Sequence, residues 1–277
     1  MRNSTTHTEQ FLVVFDKDGT LIDFDVMWAN WAENHAAAIV EHVVRPCCST
    51  DVDATCRRFT AAYFEALDYD AKARHVGAKG VLACSPMSEI DGVAADVAAR
   101  FVDPATERAV IDAAVRAASE AASPDPAAAV PRADLGPLFD AIAAMGAEIA
   151  VCTTDDRAPT EATLAHLGLT KYVVAMSCGD DGVVEAKPSR AQIDVLRSAC
   201  RAAPPQCTVM VGDTPKDMLL GQNAECDLVV GILGGASGVS DLVEYADCVI
   251  DGLERLPKLL ALVFSAARAR DAAVGSD

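Results

Sequence analysis

The sequence predicts an α/β protein, a doubly wound parallel sheet carrying a helical insert. Three observations predict it. From Asp134 onward, short apolar runs alternate with amphipathic stretches, the pattern of parallel strands covered on both faces by helices. One more run of the same kind, Phe11 to Phe15, stands early in the chain. Between the two lie about one hundred residues with helical spacing and no strand alternation.

Taken in order, Phe11 to Phe15 reads as a buried strand. Trp28, Trp31, His35, Ile39 and His42 then recur at helical spacing. Asp51 to Leu67 and Ser88 to Val102 are helix-like, and Thr106 to Ala122 is an alanine-rich helix. Ser123 to Arg132 is rich in Pro and Ala and reads as a linker. Ala147 to Cys152 is the next strand. Pro159 to Leu167 follows as a helix, with proline in its first turn and Gly168 just past its end. Tyr172 to Cys178 is a strand. Pro188 to Arg201 is a helix whose Ile193, Leu196, Ala199, Cys200 and Ala203 share one face. Cys207 to Val211, Asp227 to Leu233 and Cys248 to Ile250 complete the strands. The expected organisation is a tail over 1–10, an α/β core from 11–24 plus 131–263, a helical insert over 25–130 and a tail over 264–277. There is no internal repeat.

With 277 residues, one or two domains are expected. Lys plus Arg number 23 against 41 Asp plus Glu, a net charge of −18. That balance excludes nucleic acid and anionic membrane as main partners. It leaves phosphorylated substrates open, because a bound divalent cation inverts the local field. No apolar run approaches the roughly 20 residues that span a bilayer, and Met1 to Gln10 is polar, without a signal-peptide core. A cytoplasmic protein is expected, monomer or homodimer. Of the ten cysteines, none forms a Cys-x-x-Cys pair, and Cys152, Cys178 and Cys207 sit inside apolar runs, as buried reduced thiols do. Trp28 and Trp31 read either as packing of an insert helix or as a wall facing a substrate. His35 and His42 share that helix with no acidic or Cys cluster at metal-ligand spacing, so a zinc site is not expected.

Chemistry concentrates where strands end. The first strand runs into Asp16-Lys17-Asp18-Gly19-Thr20. Two carboxylates two residues apart can converge on one point if the backbone curls. One can then serve as nucleophile, the other as acid and base. The plain alternative is an Asx turn with a solvated Asp pair. A second strand ends in Gly212-Asp213-Thr-Pro-Lys-Asp217, a third in Thr153-Thr154, and Lys187-Pro188 precedes a helix. One edge of one parallel sheet gathers all of them, and in doubly wound sheets that edge binds ligands. Carboxylates so close repel one another unless a cation sits among them. Hard oxygen ligands suit magnesium, and a lysine and hydroxyls beside it make a phosphate clamp. Gly231, Gly234, Gly235 and Gly238 do not form a dinucleotide fingerprint and read as a loop near this edge.

The order DKDGT, strand-Thr, Lys-Pro, GDTPKD resembles the haloacid dehalogenase superfamily of phosphotransferases over Phe11 to Phe24 and about Asp134 to Leu260. The insert after the first motif looks like that superfamily's C1 cap, and the stretch from Gly179 to Pro188 is similar to phosphoglycolate-phosphatase-like members. The resemblance implies a Rossmannoid core and assigns roles. Asp16 matches the nucleophile that becomes an aspartyl phosphate, and Asp18 the general acid and base. Thr153 matches the hydroxyl that binds the phosphoryl group, with Thr154 beside it where relatives often have Asn. Lys187 matches the lysine that neutralises phosphate and nucleophile. Asp213 matches a direct magnesium ligand together with Asp16 and the backbone carbonyl of Asp18, and Asp217 a supporting carboxylate.

The function so implied is a magnesium-dependent phosphatase acting on a small phosphorylated metabolite, with 2-phosphoglycolate the best single choice. A sugar phosphomutase of the same superfamily and a non-catalytic binding protein on a retained core are the alternatives. Specificity is expected in the insert, with the turn Gly77 to Gly80, including Lys79, and the Trp28 wall as candidates. Lys72 and Lys79 read as exposed lysines rather than Schiff-base formers.

Overall fold

A computed structural model describes residues 11–49, 51–77, 80–123, 125–182, 185–201 and 205–274, the side chains of 271–274 excepted. Lys79, Ala203 and the tail over 1–10 lie outside the described residues.

The chain opens with β1 (Phe11–Phe15) and enters the insert through α1 (Phe24–Ile39), which continues as a π-helical turn over Val40–Val44 into the short α2 (Arg45–Cys47). Then come α3 (Val52–Leu67), a two-residue strand β2 (Tyr69–Asp70), its partner β3 (His75–Val76), α4 (Val81–Cys84), α5 (Met87–Ala98) and α6 (Arg108–Ala121). The core resumes with α7 (Leu135–Ala144), β4 (Ala147–Cys152), α8 (Arg157–His166), β5 (Val173–Ser177), α9 (Ala191–Ser198), β6 (Cys207–Gly212) and α10 (Pro215–Asn223). It ends with β7 (Leu228–Ile232), α11 (Val239–Leu242), β8 (Cys248–Ile250) and α12 (Leu256–Val274).

Six strands form one parallel sheet in the order β5-β4-β1-β6-β7-β8. β1 is the third strand of six and every one of its residues is buried. Its side chains alternate between two apolar layers. Phe11, Val13 and Phe15 join the larger core, and Leu12 and Val14 pack against Ile193, Leu196 and Leu220 on the other face. Burial on both faces is why this segment reads as a continuous apolar run. The sequence order reverses between β1 and β6, so the carboxyl ends of those two strands flank the switch-point crevice.

The insert leaves and returns through one paired junction. Asp23 donates its N–H to the Val130 carbonyl at 2.8 Å, Arg132 donates to the Leu21 carbonyl at 3.0 Å, and Ile22 bridges Pro131. Inside the insert, Trp31, Phe59, Tyr63, Ile90 and Val115 are buried together. His35 sits among them. The Ser119 hydroxyl donates to Asp91. With that proton committed, His35 Nε2 donates to Ser119 Oγ at 2.9 Å and Nδ1 accepts from the Tyr63 hydroxyl at 2.7 Å.

Burial holds the imidazole neutral, its pKa pushed down to about 4. The unfolded chain titrates near 6.5, so it binds the extra proton more readily between those values. Stability should therefore fall as pH drops from about 6.5 toward 4, by up to roughly 3 kcal/mol. Asp91, raised by burial, works in the opposite sense at the acid end. Urea midpoints measured across this window should decline for the wild type, and the slope should flatten in His35→Phe. An identical slope in the variant would rule the histidine out.

Three local differences from the sequence reading have physical causes. The hairpin β2–β3 is two residues on each side, too short to show a period, and is held by side chains. Val76 N–H and His75 Nδ1 both reach Asp25, at 3.0 and 2.8 Å, and Arg74 pairs with Glu33 at 2.8 Å. Residues 264–274, read as a tail, continue α12, where Phe264 stacks on Phe11 with centroids 4.1 Å apart. The helix expected from Pro188 starts at Ala191, which lets Lys187 and Pro188 run toward the sheet edge.

Candidate functional site

The carboxyl edge of the sheet collects the motif residues as chain geometry requires. Asp16 follows β1 directly and donates its N–H to the Val211 carbonyl at 2.9 Å, so it still runs beside β6. Asp213 follows β6, and Thr153 follows β4 with its N–H on the Ser177 carbonyl at 2.9 Å. Lys187 arrives from the segment ahead of α9. Its Nζ donates to Asp16 Oδ1 and Asp217 Oδ1, each at 2.7 Å. Asp217 is fixed in turn by the capping box of α10, accepting from Thr214 N–H at 3.0 Å and Thr214 Oγ at 2.6 Å.

Asp213 is fully buried between two close backbone approaches. Thr20 donates to its Oδ1 at 3.1 Å and Ala236 N–H to its Oδ2 at 2.6 Å. A Cβ on Gly19 would lie 2.1 Å from that Oδ2, and Gly19 has φ of +82°, a conformation glycine adopts without strain. A Cβ on Gly235 would lie 2.3 Å from the same atom. The glycine-rich segment therefore does stand at this edge, packed on Asp213.

Ligand atoms of Asp16, Asp213 and Asp217 all lie within 4.8 Å of one another. Burial lifts the Asp16 carboxyl well above the usual carboxylate range, against the pull of Lys187, and Asp217 and Asp213 push it the same way. Burial, then repulsion from Asp217, brings Asp213 to about 7. Burial alone would depress Lys187, but Asp16 and Asp217 hold it well above the ordinary lysine value. The Lys187 ammonium thus bridges two of three clustered buried carboxylates. Buried hard-oxygen donors with negative charge left over are what a divalent cation such as magnesium fits, with Asp16 and Asp213 as the side chains that would hold it.

The Asp18 carboxylate is not in that cluster. It pairs with Lys17 at 2.9 Å, and Lys17 also pairs with Asp155 at 2.9 Å. Lys17 is 2% exposed, and Asp18 and Asp155 keep its ammonium above the ordinary lysine range despite burial. Sequence reasoning passed over both Lys17 and Asp155. The available signal was a lysine between two acids at the end of a fully apolar strand, where no solvent awaits it. Thr153 Oγ accepts from Asp155 N–H at 3.1 Å, which turns this loop inward. Arg132 was also missed. Its guanidinium donates to the carbonyls of Gly19 and Leu233, tying the insert junction to the loops around Asp213.

One chamber joins these groups. Asp16, Asp18, Thr153, Thr154, Lys187 and Asp217 line its core side, and Phe24, Trp28, Leu82, Ala83, Ser85 and Met87 line its insert side. Trp28 packs on Phe24 and Trp31 and also lines the chamber. The turn residues Gly77 and Gly80 do not line it. The ten cysteines are thiols, none joined in a disulfide. Among the described residues, no helix is long and apolar enough to cross a membrane.

Comparison with known proteins adds three kinds of likeness. The family model of the haloacid dehalogenase-like hydrolases matches residues 12–225. A phosphoglycolate phosphatase of Agrobacterium fabrum is 30% identical over 122 residues, 44% of this chain and 51% of that protein. The match thus spans about half the length of that relative. Among solved structures, one described as a phosphoglycolate phosphatase from Haemophilus somnus superposes with a TM-score of 0.59 at 17% identity, over 92% of this chain and 99% of the other. One described as a β-phosphoglucomutase from Thermotoga maritima gives 0.58 at 15% identity, over 91% and 99%. At these identities the two structures support the fold.

Proposed function

The chain belongs to the haloacid dehalogenase-like hydrolases, and from that premise we propose that it is a magnesium-dependent phosphatase acting on a small organic phosphate monoester, 2-phosphoglycolate the best candidate. The observation that carries this reading is Lys187, whose ammonium bridges Asp16 and Asp217 at 2.7 Å within a buried carboxylate group at the switch point. A phosphatase needs a nucleophile and concentrated positive charge at one spot, and this arrangement supplies the first and half of the second. Magnesium, when bound, supplies the rest by neutralising charge on the phosphoryl oxygens.

Asp16 is the nucleophile. An oxygen of its carboxylate attacks phosphorus, the ester oxygen leaves with the alcohol, and an aspartyl phosphate remains. Asp18, once protonated and turned from Lys17 toward the ester, gives its proton to the leaving oxygen, then takes one from the water that hydrolyses the intermediate. Thr153 and Lys187 hold the phosphoryl oxygens, with Thr154 beside them, and Asp217 orients Lys187. Phe24, Trp28, Leu82 and Met87 shield the chamber from bulk water on the insert side.

Phosphate release from p-nitrophenyl phosphate and a panel of small esters, with and without magnesium, tests the reading. Activity should require the metal and disappear in excess chelator, and Asp213→Ala should raise the magnesium concentration for half-maximal rate at least about tenfold, given typical losses on removing one ligating carboxylate. Undiminished activity in chelator would end the metal role. Phosphate moved between positions of a sugar phosphate, with none released, would favour the phosphomutase instead.

A further inference from the structure

Among the described residues, four carboxylates and two ammonium groups line the chamber: Asp16, Asp18, Asp155 and Asp217 against Lys187 and Lys216. Lys187 is committed to Asp16 and Asp217. Lys216 is not held by any carboxylate among the described residues. Its Nζ donates at 2.7 Å to the main-chain carbonyl of Cys84, the last residue of α4 in the insert. The ammonium therefore stands where core meets insert. The insert side of the chamber is mostly apolar, through Phe24, Leu82 and Met87, with Ser85 among them, and Lys216 also borders a second hollow that Glu89 lines. Trp28 lines the same chamber, and its indole N–H is buried with no partner among the described residues. A half-buried cation whose protein partner is a neutral carbonyl, and a buried donor with no protein partner on the same chamber, both leave a place for an acceptor on the ligand.

We propose that Lys216 selects esters whose alcohol part carries a carboxylate close to the phosphate. This rests on the phosphatase reading above and deepens it. When such an ester binds, the ammonium exchanges the Cys84 carbonyl for the carboxylate. The bond to the carbonyl has charge on one side only, whereas a carboxylate adds the attraction of a second, opposite charge, so the exchange runs toward the ligand. An ester with a hydroxyl in the same place offers no charge for the ammonium to pair with. The competing role for this contact is a latch that only fastens α10 to α4.

Two esters separate these roles. 2-Phosphoglycolate and 2-hydroxyethyl phosphate differ by a carboxylate against a hydroxymethyl group at one position. The quantity to follow is the ratio of their kcat/KM values. Lys216→Met should lower that ratio roughly 10- to 100-fold, the size of one charge-assisted bond, chiefly by raising the KM for the carboxylate-bearing ester. Lys216→Arg should retain part of the preference, which also guards against a variant that merely folds poorly. A latch would lower both rates together, and a ratio unmoved by Lys216→Met overturns the proposal. So does a wild type that prefers the hydroxyethyl ester while releasing phosphate from both, an outcome that leaves the phosphatase reading standing. A wild type that releases phosphate from neither ester, nor from p-nitrophenyl phosphate with magnesium, sinks both.

Discussion

Asp16→Asn should reduce kcat at least about a thousandfold, in line with losses at catalytic nucleophiles, while leaving the protein as stable as before or more so. The carboxamide has the shape of the carboxylate but cannot attack phosphorus. It still offers an oxygen to Lys187 Nζ, so the 2.7 Å contact survives. It also removes one of three clustered buried carboxylates, at the position that burial, then Asp217 and Asp213, hold above the usual carboxylate range. Relief of that repulsion predicts an unchanged or raised Tm. Steady-state kinetics on p-nitrophenyl phosphate and a thermal melt check the two halves separately. More than about a tenth of wild-type kcat in the purified variant would refute the covalent role, since nucleophile losses are far larger than that.

Lys187→Met should be costly in both respects. Methionine fills the volume of the lysine stem but leaves Asp16 and Asp217 without their shared counter-charge, in a site 1–10% exposed. Stripping one partner from a buried ion pair costs about 3–5 kcal/mol, a fall in Tm on the order of 10 °C for a chain of this size. Activity should fall about a thousandfold as well, because a preorganised charge at the transferring group is lost. The double variant Asp16→Asn/Lys187→Met separates the effects. With one carboxylate already neutral, the lysine is worth less, so the double variant should be more stable than Lys187→Met alone and equally inactive. A double variant that is less stable than Lys187→Met would contradict the charge balance described for this site.

What the sequence revealed of this site depended on strands. Asp16, Thr153 and Asp213 each stand at the end of an apolar run, and a run buried on both faces is visible in composition alone. Parallel pairing then places those ends on one edge, which is why four distant motifs could be read as one cluster. Lys187 was legible through the proline after it and the helix beyond. Lys17, Asp155, Arg132 and Lys216 were not. Each acts through a contact between loops from separate strands or between core and insert, and nothing in local spacing records which loops meet. The β2–β3 hairpin stayed hidden for a different reason, since it is held by side chains of α1 rather than by its own pattern. The end of α12 was missed where Leu256, Leu260, Phe264 and Ala267 continue a helical period past the expected start of the tail.

The paired junction at Ile22 and Pro131 bears on how the chain assembles. β1 and β4 are neighbours in the sheet, yet roughly one hundred residues of insert separate them in sequence, a long loop to close. The bonds from Asp23 to Val130 and from Arg132 to Leu21 bring the two ends of that loop side by side. Once the helices of the insert have packed and their ends have met, β1 and β4 are separated by a short crossover through α7 instead. A topology of high contact order, slow to search as written in the sequence, becomes a local one.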